Sequence, residues 1–204
     1  MSDNAKASLE ELYEVTDGIL IFDNDLWKLE GIPVEQSYNV MNYELVKPIP
    51  IMLGAGEVSG NKVGMKVVDA SDIIATWKDL TYIGYSGVKV KSWKDKFFFL
   101  RNKKDSISEL EPALRCYTVI RNAVTLKLSE GCDIRMAKRA LMVITGPPRE
   151  INMEGFNRAK GWLQSFVENA EVRGGDYPIR GVKELGGVVM FSGYRDISRL
   201  GLTL

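Results

Sequence analysis

Histidine is absent from all 204 residues of the sequence. That removes Ser-His-Asp and Cys-His catalysis and every metal site that needs an imidazole. Any acid–base chemistry is left to carboxylates. Cysteine is scarce as well: Cys116 and Cys132 lie in no Cys-x-x-Cys spacing, which argues against a redox pair, a zinc site or a disulfide framework and fits a reducing cytoplasm. Net charge is also missing, with 27 basic residues against 27 acidic ones, so no global field draws the chain to nucleic acid or anionic lipid. No apolar run approaches the roughly 18 residues needed to cross a bilayer. Met1-Ser2-Asp3-Asn4 has no basic region leading into an apolar one, so the expectation is a chain neither exported nor membrane-inserted.

What is present, 45% hydrophobic and 26% charged residues, suffices for one sizeable core or one and a half domains. Leu9, Leu12 and Tyr13 give a short helical pattern behind Asp3 or Asn4. Ile19-Leu20-Ile21-Phe22 reads as a buried strand that delivers Asp23-Asn24-Asp25 at its carboxyl end, where open α/β sheets bind ligands. Val34, Tyr38, Met41 and Leu45 recur at helical spacing behind Pro33 and predict a helix over 33–46. Pro48 and Pro50 are expected to stop or kink it. Gly54-Ala55-Gly56-Glu57-Val58-Ser59-Gly60 follows a helix rather than a strand and matches no phosphate-loop pattern, so it reads as a linker.

Asp69-Ala70-Ser71-Asp72 opens a further helix. The remainder alternates strand and helix. Leu80 to Val90 is strand-like, and Lys91 to Asp105 reads as a basic edge strand or hairpin carrying Phe97-Phe98-Phe99-Leu100. Leu110 to Leu128 is a long amphipathic helix that places Cys116 in the core. Leu141-Met142-Val143-Ile144 is a buried strand, Asn152 caps a helix, and strands around Ala170 to Val172 and Val188 to Phe191 complete the sheet. The order passes from α/β to α+β.

Four constellations could carry binding or chemistry, and each has an ordinary structural explanation beside it. Asn24 offers a donor and an acceptor in one plane for a ligand edge, although turn chemistry also accounts for Asp23-Asn24-Asp25. Tyr38 and Asn42 share one helical face, where a ring could stack on a base while the amide reads its edge; Tyr38 also belongs to the apolar stripe and could pack in the core. Asp69 and Asp72 could orient a water, or cap their helix. The aromatic and basic segment Lys94 to Lys104 admits single-stranded nucleic-acid binding or a charge-protected edge strand, and the strand is the favoured reading, with no nucleic-acid partner.

The order of these features resembles the second half of the tubulin/FtsZ superfamily, and most closely the archaeal tubulin-like CetZ proteins. Leu12 to Asp25 is similar to the strand and loop that close the nucleotide pocket. Tyr38-x-x-x-Asn42 is similar to the aromatic-x-x-x-Asn of the family's core helix. Asp69-x-x-Asp72 matches the acidic catalytic loop. Arg139-Ala140-Leu141-Met142-Val143-Ile144-Thr145-Gly146 and Val172-Arg173-Gly174-Gly175-Asp176-Tyr177-Pro178 look like the CetZ carboxyl-terminal domain.

The resemblance implies that 1–56 is the remnant of a nucleotide-binding domain, its last strand plus core helix. It makes 57–204 the carboxyl-terminal domain, a four-stranded mixed sheet packed on two helices. Tyr38 would stack on guanine, with Asn42 and Asn24 on its edge, and Asp69 and Asp72 would act on the neighbouring subunit's GTP. The implied parent binds GTP with magnesium, polymerises head to tail with other tubulin/FtsZ-like subunits and serves cell shape or division. The family's Gly-Gly-Gly-Thr-Gly-Ser-Gly phosphate loop does not occur in this sequence. Tight GTP binding by this chain alone is therefore not expected, because the triphosphate supplies most of the anchoring contacts. Its abrupt start suggests a carboxyl-terminal portion of a GTPase. The alternative is an interaction module that caps or regulates tubulin-like filaments. Either way the uncovered core helix should favour self-association.

Overall fold

The computed structural model describes residues 3–22, 33–57, 64–90, 110–126, 128, 133–167, 169–197 and 202–203. The chain opens with helix α1 (Asp3–Val15) and strand β1 (Gly18–Leu20), followed by helices α2 (Val34–Val46), α3 (Pro48–Gly56) and α4 (Ala70–Thr76). Strand β2 (Asp79–Lys89), helix α5 (Pro112–Thr125), strand β3 (Arg139–Gly146), helix α6 (Met153–Phe166) and strands β4 (Glu171–Pro178) and β5 (Glu184–Tyr194) form the body. A small hairpin, β6 (Asp196–Ile197) and β7 (Leu202–Thr203), follows.

The main sheet runs in the order β1-β2-β5-β3-β4. β5 lies antiparallel to both β2 and β3, while β3 and β4 are parallel and joined through α6, the crossover that parallel neighbours require. Its strands read as near-continuous apolar runs because both faces are covered. On one face Leu80, Tyr82, Ala140, Met142, Ile144, Leu185, Val189 and Phe191 meet α5 and α6 through Val119, Ile120, Phe156 and Leu163. On the other face the alternate residues Ile83, Tyr85, Leu141, Val143, Val188 and Met190 meet Met52 of α3, Val68 and Ile73 of α4. Period-two alternation thus feeds two cores at once. The cap on α6 is as expected, with the Asn152 side chain accepting from Gly155 N–H at 2.7 Å.

Three expectations need correction. The sheet has five strands rather than four, since β1 pairs in parallel with β2 and Ile21 N–H extends the ladder to Thr81 O at 2.8 Å; the unpaired edge of β2 offers backbone partners that a strand readily takes. Gly54-Ala55-Gly56 is the last stretch of α3, not linker. Lys47 keeps helical dihedrals and Pro48 takes a first-turn position of the new helix, where its missing N–H costs nothing. The prolines therefore stop α2 at Val46, as expected, and α3 resumes the helical path at once. Strand β4 runs to Pro178, well beyond Val172, and so takes in Arg173-Gly174-Gly175-Asp176-Tyr177. Asn24 and the segment Lys91 to Asp105 lie outside the described residues.

Candidate functional site

The acidic pair sits where α4 begins. Asp69 is the N-cap, with extended dihedrals, and its Oδ1 accepts from Asp72 N–H at 2.9 Å while Asp72 Oδ2 accepts from Asp69 N–H at 3.3 Å. This reciprocal arrangement is a capping box, so the spacing of three does the capping predicted from sequence. Capping does not exhaust the pair, because the Asp69 side chain stays exposed to solvent. The Ser71 hydroxyl donates to Asp69 Oδ1 at 2.6 Å. That bond, together with the Asp72 N–H, holds the Asp69 carboxyl below the usual carboxylate range, so it is ionised at neutral pH. Asp72 is drawn inward by Arg173 of β4, whose Nε stands 3.3 Å from Asp72 Oδ1.

Tyr38 and Asn42 lie one turn apart on α2 and both face outward. Tyr38 is 53% exposed, which removes the core-packing explanation for it; Ser37 and Met41 turn inward instead. At 1.5 Å of rise per residue, the helical path from Tyr38 through the break at Lys47 to the end of α3 at Gly56 is about 27 Å long. A Cβ on Gly56, at the end of α3, would stand 3.5 Å from Ala70 N and 3.6 Å from Asp69 C, so the acidic pair sits beside the far end of this two-helix rod. The structure brings Asp69 to Asp72 at the start of α4, and Tyr38 to Asn42 on α2.

The break in the rod is pinned to the sheet. Lys47 Nζ lies 2.6 Å from Glu184 Oε1 and 4.2 Å from the centre of the Tyr85 ring, and the Tyr85 hydroxyl donates to the same carboxylate. Burial alone would lower the Lys47 pKa, but its interactions with Glu184, Tyr43 and Tyr85 together outweigh burial and the ammonium is held protonated. Burial likewise pushes Glu184 up, and its bonds to Lys47 and Tyr85 bring the net shift below the ordinary value. Cys116 is fully buried on α5, where its thiol donates to Glu150 O at 3.3 Å. Burial raises its pKa, so it packs the core and is no nucleophile.

Among the described residues no three acidic or thiol side chains gather as a metal cage. No helix among them is long and apolar enough to cross a membrane. Sequence reasoning singled out the segment Val172 to Pro178 only as a likeness and missed Arg173 and Asp176 as partners of the acidic loop. A paired glycine flanked by Arg and Asp inside a strand was the available signal, since glycine in a strand interior marks close backbone approach.

Two consecutive helices, the first with an outward aromatic–amide pair and the second ending beside an acidic loop, on a mixed sheet backed by two further helices, match the arrangement of tubulin/FtsZ-like proteins. Solved structures agree: CetZ1 from Haloferax volcanii, a GDP-bound monomer, superposes with a TM-score of 0.75 at 30% identity over 97% of this chain and 52% of that one. FtsZ of M. jannaschii shares the fold with a TM-score of 0.68 at 19% identity, over 93% and 51% of the two chains. The family model for the tubulin-like CetZ carboxyl-terminal domain matches residues 31–203, and the chain belongs to that family. Among curated relatives, tubulin-like protein CetZ1 of Haloferax volcanii is 33% identical over 97% of this chain and 52% of its own length. Tubulin-like protein CetZ of Thermococcus kodakarensis is 23% identical over 93% and 45%. The chain thus spans about half the length of the curated relatives it matches.

Proposed function

We propose that this chain is the half of a CetZ-like cytoskeletal GTPase that supplies the acidic loop to the GTP of the next subunit, so that hydrolysis depends on head-to-tail contact. Its parent would then act in cell shape or division from the cytoplasm. The observation that carries this reading is an exposed, ionised Asp69 held by a capping box beside the end of α3, with the outward pair Tyr38 and Asn42 on α2, about 27 Å away along the helical path. In this reading the nucleotide of one copy engages Tyr38 and Asn42 of that copy, and in a row of copies the tail of one meets the head of the next.

Each residue then has a role. Tyr38 stacks on guanine and Asn42, with Asn24, reads its edge. Asp69, exposed and ionised, accepts a proton of the attacking water and aligns it with the γ-phosphate of the neighbouring subunit. Asp72 sets the loop through the capping box and its Arg173 contact. Magnesium arrives with the nucleotide, whose phosphates would be held by parts of the neighbour. A Haloferax volcanii relative of the same fold, CetZ2, has been seen as a GTPγS-bound protofilament, which is consistent with this geometry.

The test is complementation. A full-length CetZ relative whose own acidic pair is neutralised binds GTP but hydrolyses it poorly; adding this chain should restore phosphate release, and adding its Asp69→Asn/Asp72→Asn variant should not. The expected gain is about 100-fold, the range of a positioned acid–base group. Failure of the unaltered chain to raise phosphate release would overturn the reading. Suppressed assembly at less than equal stoichiometry, without phosphate release, would instead make the chain a filament cap.

A further inference from the structure

We propose that Arg173-Gly174-Gly175-Asp176-Tyr177 on β4 is a cradle that fixes the acidic loop, with Arg173 and Asp176 as positioning residues for hydrolysis; the functional consequence rests on the reading above, the cradle itself does not. β4 is the last strand of the sheet, so its outer edge has backbone groups to spare. Asp176 spends them on the residues that lead to the acidic pair. Its N–H donates to Lys66 O at 2.9 Å, its Oδ1 accepts from Lys66 N–H at 2.6 Å, and its Oδ2 accepts from Met65 N–H at 3.1 Å. Three hydrogen bonds thus join one residue to two consecutive residues of the loop, across more than a hundred positions of sequence.

A carboxylate that is only 7% exposed must be satisfied or it destabilises the fold. Among the described residues no cation pairs with Asp176, and the two loop amides do the work. The glycines are required by the same contact. A Cβ on Gly175 would stand 2.6 Å from Lys66 O and 2.5 Å from Val68 Cγ2, and one on Gly64 would stand 2.8 Å from Asp176 Oδ2. Any side chain at either position would lift the loop from the strand. Below it, Val68 is buried to 2% exposure, so the loop is anchored by packing one residue before Asp69.

Arg173 adds the orientation. Its Nε faces Asp72 Oδ1 at 3.3 Å, its Nη1 donates to Thr76 Oγ1 at 3.4 Å, and its Nη2 lies 2.7 Å from Glu171 Oε1. One planar guanidinium therefore ties the first and last turns of α4 to β4. Tyr177 closes the cradle by packing against the cluster that holds Met52 and Ile73. Height is set by Asp176 and Gly175, and rotation by Arg173, so the exposed carboxylate of Asp69 is presented from a fixed base, as a site that must meet another subunit's nucleotide requires.

The experiment has two arms. Amide hydrogen exchange on this chain should show Met65 and Lys66 protected, and Asp176→Asn should accelerate at least one of the two by about tenfold, since an amide group can replace only one of the two acceptors. Gly64→Ala, which acts from the loop side and leaves the sheet intact, should do the same if Asp176→Asn fails to fold. In the complementation assay each variant should lower the saturating rate of phosphate release about tenfold with the half-saturating concentration of chain unchanged. Unprotected amides in the unaltered chain, or unchanged exchange in both variants, would overturn the cradle. Faster exchange with an unchanged saturating rate would overturn the positioning role. If the unaltered chain stimulates no hydrolysis, the functional reading fails while the exchange arm still decides the cradle.

Discussion

In β5 every residue from Leu185 to Tyr194 is buried, and in β3 every residue from Ala140 to Gly146. Along α2 only Ser37 and Met41 are buried among the described side chains, while Tyr38, Val40, Tyr43 and Val46 stand 38–57% exposed. Both regions are rich in apolar residues, yet one consumes them internally and the other displays them. The sheet with α5 and α6 closes a core of its own and carries the stability of the chain. The rod draws little stability from its outward face and keeps it available for contact. Stability and association are thereby assigned to different parts of one short chain.

The sharpest way to break that comparison is in the sheet. Phe191→Ala, at a fully buried site shared by β5, α5 and α6, should cost about 3–5 kcal/mol in chemical denaturation, the range for truncating a core aromatic. A cost under ~1 kcal/mol would mean that the sheet body is not where stability resides. A middle-sized effect is expected on the rod. Val40→Ser with Val46→Ser should raise the concentration at which the chain self-associates about tenfold, with folding stability unchanged, because the lost apolar surface is exposed in the single copy. Sedimentation equilibrium measures this, and a monomeric mass over a wide concentration range for the unaltered chain would refute the association. The smallest effect on stability belongs to Asp69→Asn. Asparagine caps as well as aspartate, so thermal melting should stay in place while complementation of hydrolysis collapses. A parallel loss of both would return Asp69 to a purely structural role.

Much of this was legible along the chain. Asp69 and Asp72, three apart ahead of Ile73, make the capping box that their spacing predicts, and the apolar run Leu141 to Ile144 is a strand buried on both faces. Asn152 caps α6 as expected. Tyr38 was ambiguous because its spacing fits the apolar stripe of α2, and only its exposure resolves it. The glycines at 54 and 56 were misread because helix breakers near two prolines look like a linker, whereas packing of Met52 against the sheet holds the helix through them. β1 was expected as a strand, but its neighbour in the sheet could not be read from its own residues.

Local sequence set most of the helices and strands and the caps at Asp69 and Asn152, and composition excluded imidazole chemistry, because those properties depend on residues within a few positions of each other or on composition. Tertiary structure alone decided that Asp176 holds Met65 and Lys66, that Arg173 reaches Asp72, and that Glu184 pins Lys47 at the break of the rod. Each of these pairs is separated by about a hundred residues or more, and their meeting depends on the order in which strands assemble into a sheet, which no local pattern encodes.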